Sequence, residues 1–341
     1  MHGAPIGRRS ICNALEENRL KPMNTLLAMT LLLSAAAQAQ TAVFPNRPLR
    51  MVIPWPPGQA TDLVGRVIAL KLSDLLGYQV IADNRPGAGG TIGTDIVAKA
   101  APDGHTLLAA SSGPVTISPL LMKVPYVSAR DLAPVANVGF SPYLLVTNNA
   151  FPASGVREFI SLLKANPGKY HFASSGTGAS AHLITEYFNS ATGIKATHVP
   201  YKGSVPALTE VISGQIAYML ETVAATMPHV RGGRLKAYGI SLAKGSVLAP
   251  GIPPLATAAD LPGFDAAAWL GIMVSTGTPK PLVDKLTAAV DKALQSQEVR
   301  DKIMGVGLEV DYRRMDEMER YLKNQSARFA EIIKKNGIRV D

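Results

Sequence analysis

Apolar and polar residues alternate along the chain in two registers. Leu49-Arg50-Met51-Val52-Ile53-Pro54-Trp55 is a short apolar run that ends in Pro-Gly punctuation, which predicts a strand and then a loop. From Thr61 to Leu76 the apolar residues Leu63, Val64, Val67, Ile68, Leu70, Leu72, Leu75 and Leu76 follow helical spacing. Val80-Ile81-Ala82 predicts a second strand, 84–90 a turn, and Ile92 to Ala100 a second helix. After the turn Pro102-Asp103-Gly104, the run His105 to Ala110 predicts a third strand. Strand, helix, strand, helix, strand implies an α/β fold with a parallel sheet and helices on both faces.

The rhythm restarts at the strand-like Tyr143 to Thr147. It continues through a helix at Val156–Ala165, a strand at Tyr170–Ala173 and a helix at Ala179–Thr192. A strand at Thr197–Pro200 and a helix at Ser204–Ile212 follow, then strands at Ile216–Leu220 and Lys236–Ile240. Pro279 to Gln295 and the charged stretch Arg313 to Lys335 predict two closing helices. Two α/β units in series predict two lobes with a cleft between them.

The N-terminus has a different pattern. Basic residues (Arg8, Arg9, Arg19, Lys21) precede the apolar run Leu26–Ala37, and Ala37-Gln38-Ala39 is a small-x-small cleavage pattern. The run of about 12 residues is too short to span a bilayer, so residues 1–39 read as a secretory signal peptide. Met23 is a second candidate start. Removal of residues 1–39 takes four basic residues and two acidic ones (Glu16, Glu17), so the net charge falls from +9 to +7. It also takes Cys12, the single cysteine, which leaves no disulfide, cysteine nucleophile or cysteine metal site. The expected location is the periplasm.

Composition narrows the classes. Apolar residues make up 47% and charged residues 17%, which excludes disordered and coiled-coil chains. Gly and Pro show no strict period, so collagen-like and low-complexity readings fall away. The basic residues are scattered and aromatics are only 6%, so stacking platforms for nucleic acid are not evident and no nucleic-acid partner is expected. For an exported chain the positive balance fits the steering of small anions, or simply a soluble surface.

Three loops follow predicted strands, where open α/β sheets bind ligands. In Pro56-Pro57-Gly58-Gln59-Ala60-Thr61-Asp62, Thr61 or Asp62 can cap the next helix, whose first N–H groups would face an anion. An ordinary cap without a ligand accounts for the same residues. The loop 173–182 holds four hydroxyls (Ser174, Ser175, Thr177, Ser180) with Gly176 and Gly178. Small residues admit a ligand to the backbone and hydroxyls orient it, and a plain surface loop is the alternative. Ser111-Ser112-Gly113 is a shorter polar strand end, which a simple turn explains equally well.

Enzyme signatures are lacking. The sequence has no Gly-x-Ser-x-Gly elbow and no His-Glu-x-x-His motif. A hydrolase built on Ser174 or Ser175 with His182 is a rival, although a loop serine and a helical histidine at that spacing do not define a pair. No cofactor or metal is implied.

The loops and their order resemble the substrate-binding proteins of tripartite tricarboxylate transport systems, the Bug receptors. The resemblance rests on Pro54–Asp62, on Asp83-Asn84-Arg85-Pro86-Gly87-Ala88-Gly89-Gly90-Thr91-Ile92-Gly93, and on 98–108. It continues in 173–178, in His198-Val199-Pro200-Tyr201-Lys202-Gly203 and in Trp269-Leu270-Gly271. It implies a two-lobed type II periplasmic binding-protein fold, with lobe 1 at 40–142 and 265–341 and lobe 2 at 143–264. It also implies a small carboxylate ligand, a membrane permease as partner (absent for orphan receptors), a monomer, and a binding role rather than an enzymatic one. A receptor that reports to a membrane sensor kinase shares the same fold. Carried onto this sequence, the site is Gly58, Gln59, Ala60, Thr61 and Asp62 with Ser174, Ser175, Gly176, Thr177 and Gly178. Ser111, Ser112, Pro200, Tyr201 and Lys202 line the cleft. Two positions depart from the family pattern: Gln59 replaces a usual glycine, and Glu221 stands where an aspartate is common.

Overall fold

The computed structural model describes Gly3, residues 44–335, Gly337 and Ile338. Apart from Gly3, the expected signal peptide, its cleavage pattern and Cys12 lie outside the described residues. Arg47–Asp341 form one compact unit.

The parallel part of the sheet is β1 (Leu49–Ile53) between β2 (Val80–Asn84) and β3 (Thr106–Ser111). Its crossovers are α1 (Ala60–Leu76) and α2 (Thr91–Ala98). Gly77, in a left-handed conformation, stops α1 by returning its N–H to the Ser73 carbonyl.

Beyond β3 the expected parallel order ends. β4 (Leu132–Asn148) is a 17-residue strand. Its Leu132–Pro142 part pairs antiparallel with β9 (Ala267–Ser275), and β9 in turn pairs antiparallel with β3. β10 (Glu309–Arg314) pairs antiparallel with β4 at the sheet edge. From Tyr143 onward β4 changes partners and pairs with β7 (Met219–Thr222) and β8 (Leu235–Ile240). Beside β7, an isolated bridge at Phe172–Tyr218 joins the parallel pair β5 (His171–Ser174) and β6 (Thr197–Pro200). One strand therefore serves two sheets, and the direction of β4 and β9 makes the first sheet mixed rather than parallel.

The remaining long helices are α3 (Val156–Ala165), α4 (Ser180–Thr192), α5 (Ser204–Ser213) and α6 (Val223–Arg231). After β9 come α7 (Lys280–Gln295), α8 (Gln297–Gly305) and α9 (Met315–Lys335). α7 and α8 pack on α1, and α9 packs on β4 and β10. Several cores result, two of which frame the site. One joins Val52, Leu108, Trp269, Met273 and Met318 around the first sheet. The other gathers Phe159, Phe172, Phe188, Tyr218 and Tyr238 around the second. Phe159 lies 5.1 Å from Tyr218, edge to face, the geometry that aromatic quadrupoles favour.

Candidate functional site

The site is built from helix beginnings. Gln59 is the N-cap of α1, in extended conformation, and its side chain makes no cap bond. The first N–H groups of the helix therefore have no acceptor within it. The loop before them is held by Asp62, which accepts from the Gly58 N–H (3.0 Å), Asn84 Nδ2 (2.8 Å) and Arg66 Nε (2.8 Å). The capping carboxylate expected from sequence is thus committed to the shape of the loop.

Three more helices begin nearby without a side-chain cap. Ala179 precedes α4, Gly203 precedes α5, and Thr222 precedes α6. A small cavity of about 30 Å³ lies where they meet. Ala60 and Thr61 line it from α1, Ser180 from α4, Ser204 from α5 and Thr222 from the start of α6. Ser111, Ser175, Tyr143, Ala268 and Leu270 complete the wall with Trp55, Gln59 and Glu221. Tyr143 is where β4 changes partners, and Ala268 of β9 pairs with Ser141 just before it, so the cavity sits at the crossover. Each helix start contributes partial positive charge, and the hydroxyls add donors that rotate to suit a ligand.

Side-chain bonds tie the walls together. Gln59 Nε2 donates to Ser204 Oγ at 2.8 Å, Ser112 and Ser180 share a 2.8 Å hydroxyl bond, and Trp55 Nε1 donates to Ser111 Oγ at 2.9 Å. Ser118 Oγ donates to the Gly178 carbonyl at 3.1 Å. Gly178 is left-handed (φ +74°), and a Cβ there would lie 2.7 Å from Ser118 Oγ, so this approach requires glycine.

Glu221 is the one acidic side chain on the cavity wall and is 2% exposed. Its Oε1 accepts from the Thr222 N–H at 2.8 Å, while Oε2 and Thr222 Oγ1 have no hydrogen-bond partner. Burial pushes this carboxyl above its ordinary range. The Thr222 N–H and the nearby hydroxyls of Ser204, Thr222 and Ser175 act against that shift without cancelling it.

Outside this chamber lies a larger pocket of about 690 Å³. It shares Trp55 and Ser175 with the inner cavity and is lined by the Pro86–Gly90 turn, Gly176, Thr177 and the Pro200–Gly203 loop.

Of the residues expected from sequence, Gln59, Ala60, Thr61, Ser111, Ser175 and Glu221 line the inner cavity. Gly176, Thr177, Pro200, Tyr201 and Lys202 line the outer pocket, together with Ser175. Gly58, Asp62, Ser112, Ser174 and Gly178 line neither and shape the loops instead. Trp55, Tyr143, Ser180, Ser204 and Thr222 are on the wall although sequence reasoning did not select them. Trp55 and Ser180 lay within the motifs already singled out. Ser204 follows Gly203 at a helix start, which is the same signal that marked Thr61. Tyr143 and Thr222 carried no local signal.

Ser174 does not meet His182. Its Oγ lies 2.6 Å from His198 Nε2, and His182 Nδ1 accepts from the Gly178 N–H at 3.3 Å. The two imidazoles stack on each other with centroids 3.8 Å apart, and Phe172 continues the stack. Burial lowers His182 to about 4; burial, reinforced by His182, lowers His198 to about 3. Both rings are neutral at pH 7 and act as packing behind the Ser/Gly loop. Among the described residues no group of three or more His, Cys, Asp or Glu is placed to hold a metal ion. Nor is any described helix long and apolar enough to cross a membrane.

Comparison with known proteins identifies the family and the fold. The family described as tripartite tricarboxylate transporter family receptor matches residues 64–338. Protein BugT of Bordetella pertussis is 36% identical over 307 residues, which is 89% of this chain and 94% of that protein. The structure of R. palustris Rpa4515 with adipate has a TM-score of 0.83 at 30% identity and covers 87% of this chain and 99% of its own. MatC from Rhodopseudomonas palustris with bound malate has a TM-score of 0.80 at 32% identity, with 85% and 100% covered. The two-lobed α/β fold is that of periplasmic binding proteins, and the family consists of receptors rather than enzymes. The chain belongs to the tripartite tricarboxylate transporter receptor family.

Proposed function

We propose that the protein captures a small carboxylate in the periplasm and delivers it to the membrane permease of a tripartite transporter. The observation that carries this reading is the meeting of the α1, α4, α5 and α6 starts on one hydroxyl-lined cavity. Unpaired N–H groups and aligned helix dipoles replace the hydration shell of an anion there. Adipate and malate in the related structures point to the same chemistry.

Lobe 1 comprises 40–142 and 265–341, and lobe 2 comprises 143–264. The change of partners along β4 at Pro142–Tyr143 supports this division. The inner cavity of about 30 Å³ has the volume of roughly one water, so a ligand enters only when the lobes part. β4 and the segment that leads into β9 connect the two bodies and form the hinge. The site comprises Gln59, Ala60, Thr61, Ser111, Ser175 and Glu221, with the 176–178 and 200–202 loops at its mouth.

The test is a thermal-shift screen with mono-, di- and tricarboxylates, amino acids and aromatic acids. A ligand at 100 times its Kd stabilises the fold by about 2.7 kcal/mol through mass action. A hit that weakens in Ser175→Ala supports the reading. No saturable shift with any acid removes it.

A further inference from the structure

The wall of the inner cavity carries one acid and no base. Glu221 is buried there with Oε2 unpartnered, while Gln59, the amide side chain on the wall, is spent on Ser204. The other polar side chains on the wall are hydroxyls and the Trp55 indole N–H, and Ala60, Ala268 and Leu270 are apolar. A carboxylate needs those donors, and an ionised Glu221 offers it none. A second ligand carboxylate beside Glu221 would place two like groups together in a chamber with no lysine or arginine on its wall.

We propose that Glu221 selects acids that also carry a hydrogen-donating nitrogen, an ammonium or a carboxamide, which donates to Glu221 Oε2. This rests on the carboxylate-receptor reading and names the class of acid within it. The ligand carboxylate faces the starts of α1 and α4. The nitrogen lies toward Glu221 and Thr222, whose Oγ1 is the second unpartnered oxygen at that end of the cavity. A buried carboxyl oxygen without a donor carries a desolvation cost, and a ligand N–H removes it. Glu221 already receives the Thr222 N–H on Oε1, so its side chain is held in place before the ligand arrives.

The experiment is calorimetric titration of the full protein with matched sets of probes: four- to six-carbon diacids, their monoamides and the corresponding ω-amino acids, together with L-aspartate and L-asparagine. The expected result is that a nitrogen-bearing member binds at least about tenfold tighter than its matched diacid. Glu221→Gln should reverse that order, because its amide donates to a second carboxylate and no longer attracts an ammonium. Thr222→Val, which leaves the Thr222 N–H in place, should weaken the nitrogen-bearing probe by a smaller factor. If diacids bind as tightly as their nitrogen counterparts in the natural protein, the role given to Glu221 is overturned and the carboxylate receptor stands. If no acid of any set binds, the carboxylate reading falls, and this inference falls with it.

Discussion

Gln59 Nε2 donates a 2.8 Å hydrogen bond to Ser204 Oγ, and the bond joins the start of α1 to the start of α5. These helices follow strands of different sheets, so the bond spans the two bodies that the proposed hinge separates. Both residues are buried, at 6% and 2% exposure. The Gln59 side chain supplies a latch that a glycine at this position would lack.

Gln59→Gly should loosen this latch without disturbing α1, since the side chain makes no cap bond. A buried hydrogen bond contributes about 0.5–1.5 kcal/mol net, so ligand affinity should fall roughly 2- to 12-fold. Small-angle scattering should show a larger radius of gyration before ligand is added. Unchanged affinity and unchanged scattering would mean that the bond does not hold the bodies together.

Gly89→Ala tests closure at the outer pocket. Gly89 is left-handed (φ +63°), and a Cβ there would lie 2.4 Å from the Thr177 carbonyl oxygen. Backbone meets backbone at this point, so neither side yields by changing a rotamer. The conformation itself costs an alanine about 1–2 kcal/mol. The variant should fold, with a modestly lower melting temperature, and should bind ligand at least about tenfold more weakly. Binding at the natural affinity would show that the Gly89–Thr177 approach plays no part in capture.

The buried stack of His182 and His198 predicts a stability that falls in acid. Their folded pKa values, about 4 and about 3, lie below the ordinary 6.5. The unfolded chain thus binds protons first, and the stabilisation present above pH 6.5 is lost as pH falls toward 4. Glu186, beside His182 at 3.9 Å, has the opposite sign. Burial raises it from 4.5 to about 7, so its contribution is complete below pH 4.5 and is lost as pH rises toward 7. Among these three groups the two histidines outweigh Glu186 between pH 5 and 6, a loss of about 1 kcal/mol per pH unit on acidification, which Glu221, also raised by burial, reduces. Denaturant titration across that range measures the slope. Imidazole proton shifts that titrate near 6.5 for both rings would refute the assignment.

How far the site can be read from sequence depends on how local its signals are. α3 matches its expected span, Val156–Ala165, because a helix-period pattern is closed by Asn166-Pro167-Gly168. The loops at 56–62 and 173–178 stand out because glycine and hydroxyl residues cluster after short strands. The first part of β4 is hidden because Pro134, Asn137, Gly139 and Pro142 read as breakers. The strand tolerates them through register shifts at Pro134–Ala136 and Asn137–Gly139. α6 is masked by the internal Pro228. β9 is defined by its long-range pairing with β3 and β4, β10 by its pairing with β4, and Tyr143 reaches the cavity wall through the pairing of β4 with β7. The proximity of Thr222 to Ser204 and Thr61 arises from long-range pairing, which no local pattern encodes.

Trp55 offers a direct optical readout of the cavity. The chain has two tryptophans, Trp55 and Trp269. Trp55 lines both the inner cavity and the outer pocket, and its indole N–H is bonded to Ser111 on the same wall. Trp269 is fully buried in the first core, among Leu108, Met273 and Met318. A ligand that enters between the α1 and α4 starts changes the surroundings of Trp55 and leaves those of Trp269 alone. Ligand addition should therefore shift or quench the emission of the natural protein, and the change should disappear in Trp55→Phe. The same substitution frees the Ser111 hydroxyl and removes one bond from the wall, so affinity measured by calorimetry should change by no more than about tenfold. A ligand response that survives in Trp55→Phe would place the bound molecule away from this wall, and the assignment of the inner cavity would fail with it.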